Sequence, residues 1–405
     1  MAVGSQAGTP PRPDATYPLI GTLVAAAAVA ALAMTMFVPS IPSLARSFGV
    51  AEAKMQLGLS VFLATTAIVQ LVCGPLSDLY GRRPVLAAAM GLFCVGTAMC
   101  LVAPSVGWFL AGRVVQGAAA AGMVLSRTII RDLYGRDRAA SMIGYTVMAM
   151  AVAPMIGPWI GGMLDEAAGW TATFWVLAAI GLATLMLIVL RLPETNGTLG
   201  RPLGSQLDAY RDLLGTRDFW VFAATGSAAS AIFFSFLGGA SQVAANALRM
   251  SPSHYGAWFA FCAAGYVFGN FLSGRYAERV GLGPMIVAGA TIGLIGPLAI
   301  VVSAWVGWGH PFALFGWIAF VGVGNGMVLP SNIAAAVSVR PDAAGAASGL
   351  VGTVQTMTGA VASAFAAWAV ADGAALMPLG LTLLGFAVPA VALALASRPA
   401  IERQG

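Results

Sequence analysis

The chain has 405 residues, of which 59% are hydrophobic and only 9% are charged, and its formal net charge is +5 at pH 7. Its mean hydropathy is +0.86. This balance excludes a soluble globular domain of this length, because too few polar side chains remain to cover the surface. The sequence therefore predicts a membrane protein.

Uncharged stretches recur along most of the chain, and each is long enough for at least one span of about 20 residues. The stretches are continuous rather than alternating, which predicts helices rather than barrel strands. Residues 1–16 are rich in Pro, Gly and Thr and are predicted to be a disordered, cytoplasmic N-terminus. The apolar run that follows is too long for a signal-peptide core and is predicted to be the first span.

We predict twelve spans, because the uncharged block 280–339 is interrupted at 307–311 and holds two of them. The fold class is an all-α membrane protein with twelve transmembrane helices in two pseudo-symmetric six-helix halves. The halves are predicted at 17–191 and 219–397, with a cytoplasmic linker at 192–218 and a cytoplasmic C-terminus at 398–405. The predicted spans are 17–40, 55–76, 84–104, 107–129, 139–163, 170–191, 219–241, 254–274, 284–306, 311–337, 344–370 and 375–396.

The basic residues predict the orientation of the chain in the membrane. If the N-terminus is cytoplasmic, only Arg46, Lys54 and Arg249 lie outside and Arg113 lies within a span, which leaves 16 of the 20 Lys and Arg residues inside. The positive net charge therefore reflects topology and gives no reason to expect nucleic-acid binding. Both termini are predicted to be cytoplasmic.

The turn between the second and third spans recurs later in the chain. It reads Gly-Pro-Leu-Ser-Asp-Leu-Tyr-Gly-Arg-Arg at 74–83, and a related turn at 274–281 reads Gly-Arg-Tyr-Ala-Glu-Arg-Val-Gly. This recurrence at half the chain length predicts a protein built from two similar halves, which favours a transporter. Three positions correspond: Asp78 with Glu278, Gly81 with Gly281, and Pro84 with Pro284.

The fourth predicted span carries an arginine inside it, in the segment Arg-Val-Val-Gln-Gly at 113–117, and its other charge, Arg127, lies near its end. A charged side chain within a span is costly and marks a functional site by default. Gln116 lies about one turn further on the same face, where it can share hydrogen bonds with Arg113. The alternative interpretation is an arginine that extends to the interface, since it lies only about six residues, or about 9 Å, into the helix.

The fifth predicted span carries closely spaced proline and glycine. Prolines remove backbone hydrogen bonds and bend a helix. Glycines four residues apart leave a smooth face for close packing, and Gly265, Gly269 and Ser273 offer a matching stripe on the eighth span. We predict that Gly161 faces this stripe; the alternative is that Gly and Pro are simply common in membrane helices. The positions in the fifth span are Pro154, Gly157, Pro158, Gly161 and Gly162.

The linker at 192–218 is the longest hydrophilic stretch between spans. Leu207, Tyr210, Leu213 and Leu214 follow helical spacing, which predicts a short helix on the membrane surface. A loose linker is the alternative.

The sequence offers no pattern for enzymatic chemistry. Its four cysteines lie in apolar stretches, its two histidines lie near span ends, and no Cys/His metal-binding spacing or nucleophile motif is present. Gly322, Gly324 and Gly326 look like part of a nucleotide loop but lie within a span, where they are predicted to serve helix packing. We therefore predict no enzyme activity, no metal and no cofactor.

Twelve predicted spans in two halves, with the turn at 74–83, resemble the major facilitator superfamily over nearly the whole chain. The segments at 113–117 and 151–162 resemble motifs of its drug:proton antiporters, and within them of the bicyclomycin and chloramphenicol resistance branch. The resemblance implies that Asp78 clamps the eleventh helix, which is predicted to begin near Asp342, and so closes the inner face. A turn that only orients the protein by its charge is the alternative.

The resemblance also assigns roles to the remaining motif residues. Arg113 and Gln116 are implied to serve proton coupling, and the Pro and Gly positions of the fifth span, with Gly265 and Gly269, are implied to seal the two halves during transport. The residues implied in gating are Gly74, Asp78, Gly81, Arg82, Glu278, Arg279 and Gly281.

One segment departs from the family pattern. The branch usually carries an acid in the first helix, four residues before a proline, whereas this chain reads Thr-Met-Phe-Val-Pro at 35–39. Thr35 thus replaces the acid, and all fifteen acidic residues lie at predicted helix ends or in loops. The usual embedded proton carrier is missing.

Family geometry places the first, fourth, seventh and tenth helices around a central cavity. A lining of aromatic and Met side chains with few polar groups suits varied, moderately apolar ligands. For each of these side chains taken singly, packing is the favoured interpretation and ligand contact is the alternative. The cavity candidates are Met34, Phe37, Arg113, Gln116, Met123, Phe233, Phe234, Asn325 and Asn332.

The sequence thus predicts a monomeric, multi-pass protein of the bacterial inner membrane, surrounded by the lipid bilayer. It is expected to export small, moderately hydrophobic drugs, of multidrug or amphenicol type, in exchange for protons by alternating access. An exporter of a metabolite or an amino-acid derivative with the same fold is the first alternative. A membrane scaffold or sensor that transports nothing is the second.

Overall fold

The computed structural model describes residues 16–134, 136–196, 210–340, 344–373 and 375–402. These residues form helices and connecting turns, and no strand occurs among them. The all-helical fold predicted from the continuous apolar stretches is confirmed. Residues 1–15 of the predicted disordered segment 1–16 lie outside the described residues, as does Asp342, and Thr16 begins the first helix.

The first helix group consists of α1 (Thr16–Thr35), α2 (Ile41–Phe48), α3 (Glu52–Tyr80), α4 (Arg82–Leu101), α5 (Val106–Gln116), α6 (Ala120–Leu133), α7 (Arg136–Ala168) and α8 (Trp170–Arg191). The second group consists of α9 (Arg217–Gln242), α10 (Pro252–Val280), α11 (Leu282–Trp305), α12 (Phe312–Ser338), α13 (Ala344–Ala369) and α14 (Leu376–Glu402). Residues 210–214, part of the predicted surface helix, are also helical, and Leu213 is buried.

Ten helical segments among the described residues are long and apolar enough to cross a membrane. Large apolar side chains also lie on the outside of the bundle, among them Leu190, which is 75% exposed, and Trp305, which is 81% exposed. Lipid is the solvent that such an exterior fits, because extensive apolar surface in water promotes aggregation. The finer count of twelve spans stays a prediction.

Two predicted spans are interrupted. The first is broken after Thr35, where a turn and the short 3-10 helix Val38–Ser40 lead into α2. Pro39 lies in the first turn of that 3-10 helix, where its missing N–H costs nothing. The fourth span is broken at the 3-10 turn Gly117–Ala119, directly after Arg113 and Gln116.

The two copies of the recurring turn have the same backbone shape. α3 joins α4 through Gly81, with φ 101°, and α10 joins α11 through Gly281, with φ 89°. Positive φ at both positions favours glycine, because a side chain there is strained. α10 is longer than predicted and includes Glu278 and Arg279 in its last turns rather than in a loop.

The bundle has two ends, which we name after residues of α3. At the Asp78 end, α3 turns into α4, and at the Glu52 end, α3 begins after the turn that follows α2. The two helix groups meet where α7 packs on α10 and where α3 packs on α13. The contacts between the groups therefore involve four long helices, and the features described below lie on or beside them.

Candidate functional site

Arg113 is fully buried, with 0% of the residue exposed. Each of its three nitrogens donates a hydrogen bond: Nε to the carbonyl of Gly58 at 3.2 Å, Nη1 to Oε1 of Gln116 at 2.5 Å, and Nη2 to the carbonyl of Ala33 at 3.1 Å. The guanidinium thus joins α5 to α3 and α1. An arginine that extends to the interface, the alternative left by the sequence, does not fit this burial.

Two aromatic rings enclose the same guanidinium. Its Cζ lies 4.2 Å from the ring centroid of Phe37 and 4.5 Å from that of Phe62. Cation–π contacts of this kind stabilise a desolvated cation. Among the described residues no carboxylate pairs with Arg113, so carbonyl dipoles, an amide and two π faces replace a counterion.

Gln116 extends the network towards α4. Its Nε2 donates to Oγ1 of Thr97 at 2.7 Å, and that hydroxyl donates to the carbonyl of Phe93 at 2.7 Å. Both Gln116 and Thr97 are fully buried. Hydrogen bonds that polarise one another in a low dielectric hold such a cluster in one arrangement. The predicted pairing of Gln116 with Arg113 is therefore present.

Thr35, which replaces the family acid, does not contact Arg113. Its hydroxyl donates to the carbonyl of Ala31 at 3.0 Å, and it packs against α7. A Cβ added at Gly157 would lie 2.6 Å from Oγ1 of Thr35, and one added at Gly161 would overlap the carbonyl of Met36. The end of α1 and the glycines of α7 are thus in direct backbone contact.

The predicted contact of Gly161 with the stripe on the eighth span is wrong. Gly157 and Gly161 face α1, and the stripe of α10 faces α12 of its own group. A Cβ at Gly265 would overlap the carbonyl of Ala319, and one at Gly269 the carbonyl of Val323. The hydroxyls of Ser273 and Ser331 lie 3.2 Å apart. The predicted packing role of Gly322, Gly324 and Gly326 is confirmed, since added Cβ atoms there would meet backbone of neighbouring helices.

α7 and α10 do pack together, but at the Glu52 end and through other residues. Gly162 lies against the backbone of Pro252, and Gly256 lies against that of Pro158 and Trp159. These glycines allow two backbones to approach without an intervening side chain. Both prolines of the fifth predicted span, Pro154 and Pro158, lie within α7. Pro158 lies at the contact between the two helix groups.

At the Asp78 end, Arg82 bridges two acids. Its Nη1 pairs with Oδ1 of Asp78, and its Nε lies 3.2 Å from Oδ2 of Asp132 at the end of α6. Nη1 also donates to Oγ of Ser77 at 2.6 Å. The predicted gating residues Asp78 and Arg82 therefore meet, while the implied contact of Asp78 with the start of the eleventh helix stays a prediction. A Cβ at Gly74 would meet nothing within 4 Å.

The structure adds a clamp that sequence reasoning missed. The carboxylate of Glu194, just beyond α8, accepts backbone N–H bonds from Arg82 at 2.9 Å, Arg83 at 3.1 Å, Thr195 at 2.9 Å and Asn196 at 2.9 Å. Carboxylates favour helix N-termini, where free amides point outward. The segment that begins the linker therefore holds the first turn of α4.

Asn196 completes this clamp on the other side of the turn. Its Nδ2 donates to the carbonyls of Ser77 and Asp78, at 3.2 and 3.0 Å. These are among the last carbonyls of α3, which have no partner within their own helix. A Pro-Glu-Thr-Asn run at 193–196 directly after a span was the only sequence signal for it.

The hydrogen bonds set the ionisation of Glu194. Partial burial raises its pKa, but the four backbone N–H donors outweigh that effect and hold the pKa below its ordinary value. The ionised clamp is therefore complete above the ordinary pKa of a glutamate, and it weakens only as pH falls through the lowered value. We expect it to persist across the neutral range.

Glu194→Gln should loosen this turn, because a neutral amide accepts fewer and weaker bonds than a carboxylate. The expected result is faster amide hydrogen exchange for residues 77–85, several-fold above wild type, with exchange elsewhere unchanged. Mass spectrometry of the exchanged protein in lipid nanodiscs measures it. Glu278→Gln is the matched control, and equal protection of 77–85 in all three proteins would contradict the clamp.

The second copy of the turn has no such clamp. Glu278 and Arg279 are exposed, and neither side chain has a hydrogen bond or an ion pair among the described residues. Gly281 has a positive φ like Gly81, but a Cβ added there would meet only Cδ of Pro284 within 4 Å among the described residues, at 3.8 Å. The two copies agree in backbone and differ in chemistry.

The predicted cavity residues fall into separate clusters. Phe37, Arg113 and Gln116 form the cluster already described, and Phe233 and Phe234 pack edge to face with ring centroids 5.6 Å apart. Within the described part of the chain, no hydrogen bond and no ring contact joins the two sets. The others are mostly enclosed: Asn325 and Asn332 are buried, and Met34 and Met123 are partly buried against the core.

Uncharged polar atoms without partners gather around Gly226 of α9. A Cβ there would lie 2.5 Å from Nδ2 of Asn332 and would overlap Nε2 of Gln355. Asn332 Nδ2 donates to the carbonyl of Phe222 at 2.9 Å. Among the described residues, Oδ1 of Asn332, Nε2 of Gln355 and Oγ of nearby Ser227 are buried without a hydrogen-bond partner. Sequence reasoning identified Asn332 and missed Gln355.

The Glu52 end is held together across the two groups. Nε2 of Gln56 donates to the carbonyl of Leu237 at 2.9 Å, and Nδ2 of Asn246 donates to Glu52 at 3.1 Å. A third bond runs from the backbone N–H of Ser253 to Glu166, at 3.0 Å. A cavity of about 250 Å³ opens at this end, and none of the predicted cavity residues lines it.

Comparison with known families agrees with this geometry. The profile of the Major Facilitator Superfamily matches residues 23–363, and a second match covers 224–405. Among solved structures, a bacterial homologue of the human lysosomal transporter Spinster, in an inward-facing and unoccupied conformation, superposes with a TM-score of 0.77. That likeness covers 97% of this chain and 99% of the other at 16% identity, and it concerns the fold.

Curated relatives cover most of the chain. The uncharacterized MFS-type transporter YdgK of Bacillus subtilis is 30% identical over 82% of this chain and 84% of its own. Multidrug resistance protein D of Escherichia coli is 28% identical over 95% of this chain and 98% of its own. The bicyclomycin resistance protein homolog of Haemophilus influenzae is 29% identical over 89% and 92%.

Proposed function

The chain belongs to the major facilitator superfamily, and we propose that it exports small, moderately hydrophobic drugs across the bacterial inner membrane in exchange for protons. The chain is a multi-pass membrane protein of a family of transporters rather than enzymes. The relatives named for multidrug and bicyclomycin resistance support drugs as the substrate class.

The main support for this proposal is the uncharged polar lining of the bundle interior. Its buried cation, Arg113, already donates from all three nitrogens. The buried atoms that still lack partners among the described residues are neutral amides and hydroxyls around Gly226. Every acid in a described helix lies near a helix end. An uncharged, partly apolar drug with amide or hydroxyl groups suits such a lining, because a charged one would lack a counterion.

The proposed function requires a definite arrangement of spans in the membrane. We propose twelve spans in two six-helix halves, with the Asp78 end and both termini in the cytoplasm and the Glu52 end outside. The excess of arginine at the Asp78 end supports this orientation. The matching backbones of the turns at Gly81 and Gly281 support the internal repeat.

Expression in a drug-sensitive strain, followed by transport in inverted vesicles, tests the function. The panel consists of amphenicols, dyes and amino acids, and uptake is measured from mildly acidic to mildly alkaline pH, with and without an imposed proton gradient. Drug uptake that rises with the gradient is the expected result. Uptake that ignores the gradient would overturn proton coupling. If Arg113 acts together with the carrier that is missing from the first helix, Thr35→Asp should change the pH dependence of export, because it supplies a titratable group.

The same panel distinguishes the proposed drug exporter from the two alternatives. Uptake of amino acids or their derivatives without uptake of amphenicols or dyes would favour a metabolite exporter of this fold. Absence of transport for every class, with normal membrane abundance, would favour a scaffold or sensor.

Asp78→Asn should weaken the inner gate, because it keeps the size of the side chain and removes the charge that pairs with Arg82. Charge-assisted bonds are worth about 1.5–3 kcal/mol, enough to shift a balanced gate more than about tenfold. The measurement is labelling of Gly349→Cys, on α13, in a background without the native cysteines. Faster labelling is expected. Asp212→Asn, which breaks an exposed pair with Arg340, is the control, and equal labelling in both would contradict the lock.

A further inference from the structure

The cavity at the Glu52 end is built by both helix groups. It measures about 250 Å³ and lies between the α2–α3 region and the α9–α10 region. We propose that this cavity is a binding site for a small zwitterion, a molecule that carries one carboxylate and one ammonium group. This site is separate from the predicted drug cavity, and its occupancy does not depend on drug export.

The charges of the lining point to such a ligand. Arg46 and Glu52 both line the cavity, and each lies within electrostatic reach of the other. Yet among the described residues the side chain of Arg46 makes no ion pair and no hydrogen bond. Glu52 accepts one hydrogen bond, from Asn246. A guanidinium and a carboxylate that face one cavity without pairing leave room for a ligand that pairs with both.

The surrounding acids disfavour a simple anion. Asp165 also lies within electrostatic reach of Arg46, and it accepts a hydrogen bond from Ser43, another lining residue, at 2.7 Å. A lone anion beside Arg46 would therefore face two carboxylates, and a lone cation beside Glu52 would face the guanidinium. A zwitterion satisfies both signs at once, because opposite charges within about 4–6 Å attract in this setting.

Two buried hydroxyls add unsatisfied hydrogen-bonding capacity. Ser241 is 3% exposed and Tyr255 is 2% exposed, and both line the cavity. Their hydroxyl oxygens have no hydrogen-bond partner among the described residues. A buried polar group without a partner is destabilising, so it marks a place where water or a ligand belongs. The carboxylate or the ammonium of a zwitterion can bond to these hydroxyls.

Apart from Ser251, the lining residues not yet named are apolar, and they limit the size of the ligand. Pro39, Pro42, Met250 and Pro252 supply most of this wall. The cavity holds the volume of about eight water molecules at about 30 Å³ each. An amino acid with an aliphatic side chain fits that space, with its side chain against the prolines and its two charges towards Arg46 and Glu52.

The experiment uses the purified full-length chain in lipid nanodiscs and isothermal titration calorimetry. The probes are L-leucine, L-leucinamide, which lacks the carboxylate, and N-acetyl-L-leucine, which lacks the ammonium. L-Leucine is expected to bind at least tenfold more tightly than either analogue. Arg46→Gln and Glu52→Gln should each weaken L-leucine binding at least tenfold, and the exposed Lys54→Gln is the matched control that should leave it unchanged.

Two further variants report on the hydroxyls. Ser241→Ala and Tyr255→Phe should each weaken L-leucine binding several-fold without changing the preference over the analogues. Thermal unfolding of each variant checks that it folds. The comparison of the three probes on the wild-type chain tests the preference for a zwitterion independently of any variant. Equal affinity for the three probes, no L-leucine binding, or binding insensitive to Arg46→Gln would show a water-filled cleft only. A chain that fails to export drugs but selects L-leucine would overturn the proposed function and leave this site standing.

Discussion

Gly161→Leu should abolish export, because the new side chain would be built directly onto the carbonyl of Met36. A Cβ at this position already overlaps that atom, so α7 must move away from the end of α1. Overpacking of a close contact costs about 1–3 kcal/mol, and more where backbone blocks the way. Export should fall to below about a tenth of the wild-type rate, and thermal stability should fall with it.

The measurement is drug transport normalised to membrane abundance, together with the unfolding temperature in detergent. Gly91→Leu on α4 is the matched control, because a Cβ there meets no atom within 4 Å. Gly162→Leu separates the two contacts of α7, since it would strike Pro252 of the second group rather than α1. Control-level export by Gly161→Leu would refute the contact with α1.

Arg113→Ala should also abolish export, and it should destabilise the first helix group. The substitution removes three hydrogen bonds and two ring contacts, and it leaves the carbonyls of Gly58 and Ala33 without this donor. Large-to-small changes of fully buried side chains cost about 3–5 kcal/mol. Arg113→Lys should rescue little, because a single ammonium cannot reproduce the planar fork that reaches three helices.

A third variant separates packing from coupling. Arg113→Met keeps much of the volume between Phe37 and Phe62 but removes the charge. This protein should lose less stability than Arg113→Ala, and if the guanidinium serves proton coupling, it should still fail to respond to a proton gradient. Gradient-driven uptake by Arg113→Met would instead leave Arg113 with a structural role alone. Arg275→Ala, at an exposed position, is the control for loss of an arginine.

Composition alone determined that the chain is a helical membrane protein, because 9% charged residues cannot cover a soluble surface of this length. The recurring turn and the motif residues sufficed to predict the family. Local chemistry was also readable: Gly81 and Gly281 take the positive φ that glycine favours, and Arg113 and Gln116 pair within one helical turn. Each of these features depends on overall composition or on residues close together in the chain, and both can be read from the sequence.

The partners of the smooth helix faces were decided by the tertiary structure alone. The chain has 50 glycines, so several helices carry small residues four apart, and spacing does not say how a helix is rotated about its axis. Gly161 therefore faces Met36 rather than the stripe of α10.

The Glu194 clamp and the broken first and fourth spans have the same origin. The carboxylate of Glu194 reaches the amides of Arg82 and Arg83 only when α8 ends beside the start of α4, and a helix is interrupted where long-range packing compensates for the lost backbone bonds. The bonds from Glu194 to α4 join residues more than a hundred positions apart, and their geometry exists only once the helices have packed.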